Sequence, residues 1–142
     1  LVNHYKSDFL FFADSVFNIP LGHAEAICRE ILKRDLKFKW TAYHHEKYLS
    51  RDYIELAVEA GCARFSFSPD GYSKETLKAL GKGIEVEDIK NAFRLIKENP
   101  KAYASFNFFL ISPAFNFKFF RADSKPTVST YHGLFVIVSD NS

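Results

Sequence analysis

Short apolar runs and amphipathic stretches alternate along this chain. Asp8 to Phe12 (DFLFF) is almost continuously apolar, as expected of a strand covered on both faces. It runs into a polar tip, Ala13-Asp14-Ser15, and then Asn18. Pro20 suits a helix start, where its missing N–H would be unpaired anyway. From Leu21 to Leu36, apolar residues at Ala24, Ile27, Cys28, Ile31 and Leu32 follow helical spacing. Phe38 to Tyr43 (FKWTAY) predicts a second strand, ending in His44, His45 and Glu46.

The pattern then repeats. Ser50 is placed to cap a helix with Ile54, Leu56, Ala57 and Val58 on its apolar side. Gly61 can stop that helix, because a residue without Cβ tolerates the left-handed conformation of a helix end. Arg64 to Ser68 predicts a third strand, with turn-forming and polar groups crowded at its tip, Ser68-Pro69-Asp70-Gly71. Ser73 caps a short helix through Leu80, and Glu85 to Lys97 is a longer one with Ile89, Ala92, Phe93 and Ile96 on one face. Glu75 and Glu85 stand near helix starts, where a negative charge favours the dipole. Asn99-Pro100 ends the second of these helices, and Ala104 to Ile111 (ASFNFFLI) predicts the fourth strand. Phe117, Phe119 and Phe120 suggest a further helix start, 124–127 a loop, and Leu134 to Val138 (LFVIV) a buried strand.

Strand–helix alternation of this kind predicts an α/β fold with parallel strands, right-handed crossovers and helices outside. Periodicity leaves a barrel and an open sheet both available. In either, ligands bind at the C-terminal ends of the strands, so the polar tips are the place to look for a site.

Composition narrows the classes. Hydrophobic residues make up 47% of the 142, enough for a substantial core and against disorder. The net charge of +2 comes from mixed charges and gives no nucleic-acid footprint, which would need a concentrated basic face. Two cysteines, Cys28 and Cys62, make neither a disulfide framework nor a complete metal site, which favours a reducing, cytoplasmic setting. No apolar run approaches the roughly 20 residues of a membrane span. The chain has no Met and starts at Leu1, close to its first predicted strand, so it is expected to come from a longer polypeptide.

The ordered set of motifs resembles the radical S-adenosylmethionine enzymes, and within them the group with an upstream cobalamin-binding domain. FFADSVFN (Phe11 to Asn18) is similar to that family's second-strand motif. AGCARFSFSPDGYSKETLKALGKG (Ala60 to Gly83) is similar to its fourth-strand motif and following helix, and EVEDIKNAFRLIKENP (Glu85 to Pro100) to the next helix. The resemblance covers about Asp8 to Pro113. It implies a partial TIM-type (β/α) barrel, incomplete on its N-terminal side, with residues 1–142 forming one domain that carries strands two to five or six.

It further implies reductive cleavage of S-adenosylmethionine to a 5′-deoxyadenosyl radical at a 4Fe-4S cluster. The three-cysteine loop that holds such a cluster is absent here, so its ligands are expected outside this chain, and the chain by itself is expected to be inactive. Any cobalamin would be bound by another domain. Carried over by position, Asp14 and Asn18 would contact the methionine end of S-adenosylmethionine, and Ser66, Ser68 and Asp70 its ribose or carboxylate region. Ser68-Pro69-Asp70-Gly71 stands where the family usually has Gly-x-Glu-Ser, and Ser112-Pro113-Ala114-Phe115-Asn116 matches the fifth-strand loop poorly.

His44 and His45 are candidate substrate contacts by their tip position. Adjacent strand residues point to opposite faces, which argues against both holding one metal ion. The Phe-rich segments are expected in the core. Lys74, Lys78 and Lys82, spaced by four, are expected to form a solvated helix stripe. Two other readings remain open at this stage: a metal-dependent barrel hydrolase using His44 or His45, and a non-catalytic binding module. The first strand, left as a long apolar edge, predicts self-association.

Overall fold

The structure is a computed structural model that describes residues 4, 7–109, 127–131 and 134–138. Predicted features at 110–126 (the loop after the fourth strand and the aromatic helix start) lie outside the described residues.

Six strands form one sheet: β1 (Phe9–Phe12), β2 (Lys39–Tyr43), β3 (Cys62–Asp70), β4 (Ala104–Phe109), β5 (Thr127–Tyr131) and β6 (Leu134–Val138). Four α-helices connect the first four: α1 (Leu21–Lys33), α2 (Arg51–Glu59), α3 (Lys74–Ala79) and α4 (Val86–Glu98). A 3₁₀ turn, Glu46–Tyr48, follows β2. The spatial order is β1-β2-β3-β4-β6-β5, and β1 to β4 pair in parallel.

That order decides what periodicity left open. Four successive strands are neighbours in sequence order, with no reversal. Right-handed crossovers then place every connecting helix on the same face. A doubly wound sheet would instead reverse its order at a switch point. Single winding is the geometry of a (β/α) barrel, here present in part. The expected extension by a parallel strand at Leu134–Val138 is corrected: β6 runs antiparallel to β4, and β5 runs antiparallel to β6. The final segment is an antiparallel pair, not another strand–helix unit.

The two faces of the sheet differ in chemistry. Trp40, Ala42, Phe65, Phe67, Ala104, Phe106 and Phe108 are buried in one core with Ala24, Cys28, Ile31, Ile54, Ala57, Ile89, Ala92 and Ile96 of the helices. Phe67 stacks on Phe106 at 4.7 Å between ring centres. The alternate positions are polar. Thr41 Oγ1 donates to the Arg64 carbonyl at 2.7 Å and lies 3.4 Å from Ser66 Oγ, to which Ser105 Oγ donates at 3.3 Å. Asn107 Nδ2 donates to Ser68 Oγ at 3.2 Å. A row of hydroxyls and an amide across three strands suits the inside of a barrel.

Local signals place the helices. Ser50 Oγ accepts from the Tyr53 N–H, and Ser73 Oγ from the Thr76 N–H, both at 3.1 Å, as N-caps do. The Glu85 N–H donates to Asp88 Oδ2 at 2.8 Å at the start of α4. Gly61 follows α2 with φ +95, and a Cβ there would collide with the Phe38 carbonyl oxygen, so both backbone and space require glycine. The expectation that the Phe-rich segments are core holds for Phe106 and Phe108. It fails for Phe9 and Phe11 on the edge strand, which are 47% and 51% exposed.

Candidate functional site

The C-terminal ends of β1 to β4 bring together the loop 13–20, the His44-His45-Glu46 segment, the Ser68-Pro69-Asp70 tip and Asn107. Backbone bonds tie these ends to each other. The Phe17 N–H donates to the Tyr43 carbonyl and the His44 N–H to the Ser66 carbonyl, each at 2.7 Å.

Asp14 is exposed on the loop after β1. Asn18, four residues on, is fully buried and spent within the chain. Its Nδ2 donates to the carbonyls of His45 (3.0 Å) and Tyr48 (3.2 Å), and its Oδ1 accepts from the His45 N–H at 2.7 Å. Both amide hydrogens are used, so Asn18 has none to offer a ligand and acts as a clamp between two strand tips.

The two histidines point opposite ways, as strand alternation requires. His44 is 3% exposed and rings Phe17, Trp40, Tyr53, Phe65 and Phe67 surround it. Its Nδ1 must donate to the Ala42 carbonyl at 2.9 Å, since that oxygen can only accept. Nε2 then accepts from the Tyr53 hydroxyl at 2.9 Å. Burial holds His44 neutral, its pKa pushed down to about 4. The expectation that His44 contacts substrate is therefore corrected: it is a core residue with both nitrogens used, and a metal reading through it fails for the same reason. His45 is half-buried, packs on Tyr48 and accepts from the Lys47 N–H at its Nδ1 (3.2 Å). Desolvation lowers its pKa. Among the described residues no group of three or more His, Cys, Asp or Glu side chains is placed to hold a metal ion.

Glu46 is the residue that sequence reasoning passed over. It is 5% exposed, and among the described residues its Oε1, sealed from solvent, has no hydrogen-bond partner. Burial pushes its carboxyl up to about 7; a backbone hydrogen bond at Glu46 itself and then Lys82 oppose the rise, and Asp70 and Asp88 add to it. The sequence signal was the acid itself, which closes a strand tip where only exposed charge is normally tolerated.

At the β3 tip the register breaks between Phe67 and Asp70, and Asp70 takes φ +60, a backbone region that Asp tolerates better than most residues. Asp70 forms an ion pair with Lys82, whose Nζ also donates to the Ser68 carbonyl at 2.9 Å. Lys82 is thus no member of a solvated helix stripe: α3 ends at Ala79, and Lys82 sits between two glycines of positive φ, Gly81 and Gly83. The Gly-Lys-Gly sequence was the legible sign. Ser66 is buried in the hydroxyl row, whereas Ser68 is partly exposed.

The cysteines are poor cluster ligands. Both are buried free thiols, Cys28 on α1 and Cys62 at the start of β3, and burial pushes Cys28 to about 12 and Cys62 also upward. Two cavities lie away from the strand tips. One of about 680 Å³ lies between α2 and α4, lined by Arg51, Glu55 and Glu98 among others, and one of about 400 Å³ is lined by Asp8, Phe38 and Gly61 with their neighbours.

Among solved structures, the chain is similar to the radical S-adenosylmethionine methyltransferase TsrM from Kitasatospora setae, whose structure holds cobalamin and a 4Fe-4S cluster. The TM-score is 0.59 at 22% identity, over 68% of this chain and 20% of that one. It is also similar to OxsB, a cobalamin-dependent S-adenosylmethionine radical enzyme, in a structure with aqua-cobalamin and S-adenosylmethionine bound. There the TM-score is 0.60 at 22% identity, over 76% of this chain and 17% of that one. This chain shares the fold of cobalamin-dependent radical S-adenosylmethionine enzymes. It spans about a fifth of the length of these proteins. No family model matches it, and no curated protein does.

Proposed function

We propose that residues 1–142 form one domain, the barrel body of a radical S-adenosylmethionine iron–sulfur enzyme, acting in the cytoplasm on a small-molecule substrate. The observation that carries this reading is the singly wound parallel sheet. Its fold is shared with two such enzymes, and its polar tips lie where that architecture binds ligands.

S-adenosylmethionine bound at a 4Fe-4S cluster would supply radical chemistry; the protein's task is binding and orientation. The residues present fit part of that task. Asp14 offers an exposed carboxylate to an ammonium group, a charge-assisted contact. Asp70 engages Lys82 through Oδ2, and a carboxylate has about four acceptor positions, so ribose hydroxyls can still be accepted. Ser68 stands beside it, and Ser66 supports the row beneath. His45, with its outward ring, is the remaining histidine for substrate. Cys28 and Cys62 do not fit a cluster, whose ligands belong to another part of the protein. Cobalamin, if used, belongs to a further domain.

Metal analysis of the intact, anaerobically purified protein tests this reading. Iron with acid-labile sulfide is the expected result. Stoichiometric zinc or manganese without iron would move the protein to the metal-dependent hydrolases, and absence of any bound metal or nucleotide to the non-catalytic modules.

A further inference from the structure

We propose that Lys82 is the positioning residue for Asp70: it presents the Asp70 carboxylate, already matched in charge, to the ribose hydroxyls of S-adenosylmethionine. This rests on the function proposed above and adds to it a residue that acts through another. The β3 tip is where the ladder is interrupted. Phe67 pairs with Phe106 and Asp70 with Phe108, so Ser68 and Pro69 stand opposite Asn107 alone. Pro69 has no N–H to give to a neighbouring strand. Side chains take over there. Asn107 Nδ2 donates to Ser68 Oγ at 3.2 Å. Lys82 Nζ donates to the Ser68 carbonyl at 2.9 Å and pairs with Asp70 Oδ2. One ammonium therefore ties the backbone before the tip to the carboxylate on it, and Asp70 itself sits at φ +60.

The end of α3 delivers Lys82 to that place. The Gly81 N–H donates to the Lys78 carbonyl at 3.1 Å, and the Lys82 N–H to the Leu77 carbonyl at 3.2 Å. These are the two bonds of a Schellman stop, with Gly81 in the left-handed region at φ +64. A Cβ on Gly81 would meet nothing within 4 Å, so the backbone turn, and not space, calls for glycine. That turn ends the helix and returns the chain to the β3 tip. Charge gives the arrangement its chemical sense. The Asp70 side chain is 15% exposed, and a carboxylate so far out of water needs a cation beside it. Lys82 meets that need before any ligand arrives. It takes one of the carboxylate's roughly four acceptor positions. The ligand group that then suits Asp70 brings hydroxyl hydrogens and no charge of its own, as a ribose diol does.

The test is binding to the intact, anaerobically reconstituted protein, with S-adenosylmethionine and its 2′,3′-dideoxyribose analogue as probes. The wild type should prefer S-adenosylmethionine by about tenfold or more, the scale of hydrogen bonds to a charged group. Lys82→Met keeps the length of the stem and removes the charge. It should weaken S-adenosylmethionine about tenfold and leave the dideoxy analogue, which lacks the contact already, within about twofold. Asp70→Asn should give the same pattern, and adding Lys82→Met to it should change little further. A residue that only supports the fold would weaken both probes alike. Equal loss for both probes, unchanged S-adenosylmethionine affinity in Lys82→Met, or a wild type that does not distinguish the probes would overturn the proposal and leave the proposed function standing. A wild type that binds neither probe would overturn that function as well. Should Lys82→Met fail to fold, Lys82→Gln, which still offers the Ser68 carbonyl a donor, takes its place with the same expected affinities.

Discussion

His44 and Glu46 stand two positions apart and titrate in opposite senses. His44 drops from 6.5 to about 4 on burial, so its contribution to stability is full above 6.5 and is lost as pH falls towards 4. Glu46 rises from 4.5 to about 7, so the folded state holds a proton that the unfolded state has released, and stability falls as pH rises through that window. Between these limits the two slopes oppose each other. Glu46→Gln removes one of them. The variant should gain on the wild type by roughly 3 kcal/mol between about pH 4.5 and about pH 7, read by urea denaturation. Parallel pH profiles would contradict the burial of an ionisable Glu46. Asp14→Ala should weaken S-adenosylmethionine binding by the intact protein roughly tenfold to a hundredfold, the scale of one hydrogen bond to a charged group. Alternation along β2 made the opposed directions of His44 and His45 legible. It gave no sign that the inward ring would be wrapped by five aromatic side chains, four of them from outside the strand end, because those contacts come from residues distant in sequence.

At the scale of elements, the strand tips are held by side chains that the sequence offers as ligands. Asn18 joins the loop after β1 to the 3₁₀ turn through three bonds. Asn18→Ala should cost about 2–4 kcal/mol, since it strands buried backbone groups, with the loss read in chemical denaturation. A cost below about 0.5 kcal/mol, typical of surface positions, would show that the clamp carries little. The helices and the first four strands were legible because caps, Gly61 and 3.6-residue spacing agree with one another. Two features were not. The direction of Leu134–Val138 depends on its partner strands, and an apolar run reads the same in either direction. The β3 strand runs past Ser68 to Asp70 because a register break lets Pro69 and Asp70 remain in it, which turn chemistry alone argues against.

For the whole molecule, single winding leaves β1 at one end of the described sheet, with Phe9 and Phe11 half-exposed on it. An apolar edge is a template for pairing with another chain. The isolated chain should self-associate, and Phe11→Lys, a charged edge residue, should shift sedimentation towards monomer. A monodisperse wild-type monomer would contradict this. The sequential strand order also gathers Asp14, His45, Glu46 and Asp70 at one end of the sheet. The most direct test of that placement is titration of S-adenosylmethionine into the intact, anaerobically reconstituted protein, wild type beside Asp14→Ala and Asp70→Ala. Saturable binding that each substitution weakens about tenfold or more is the expected result. Absence of binding, or affinity indifferent to both carboxylates, would contradict it.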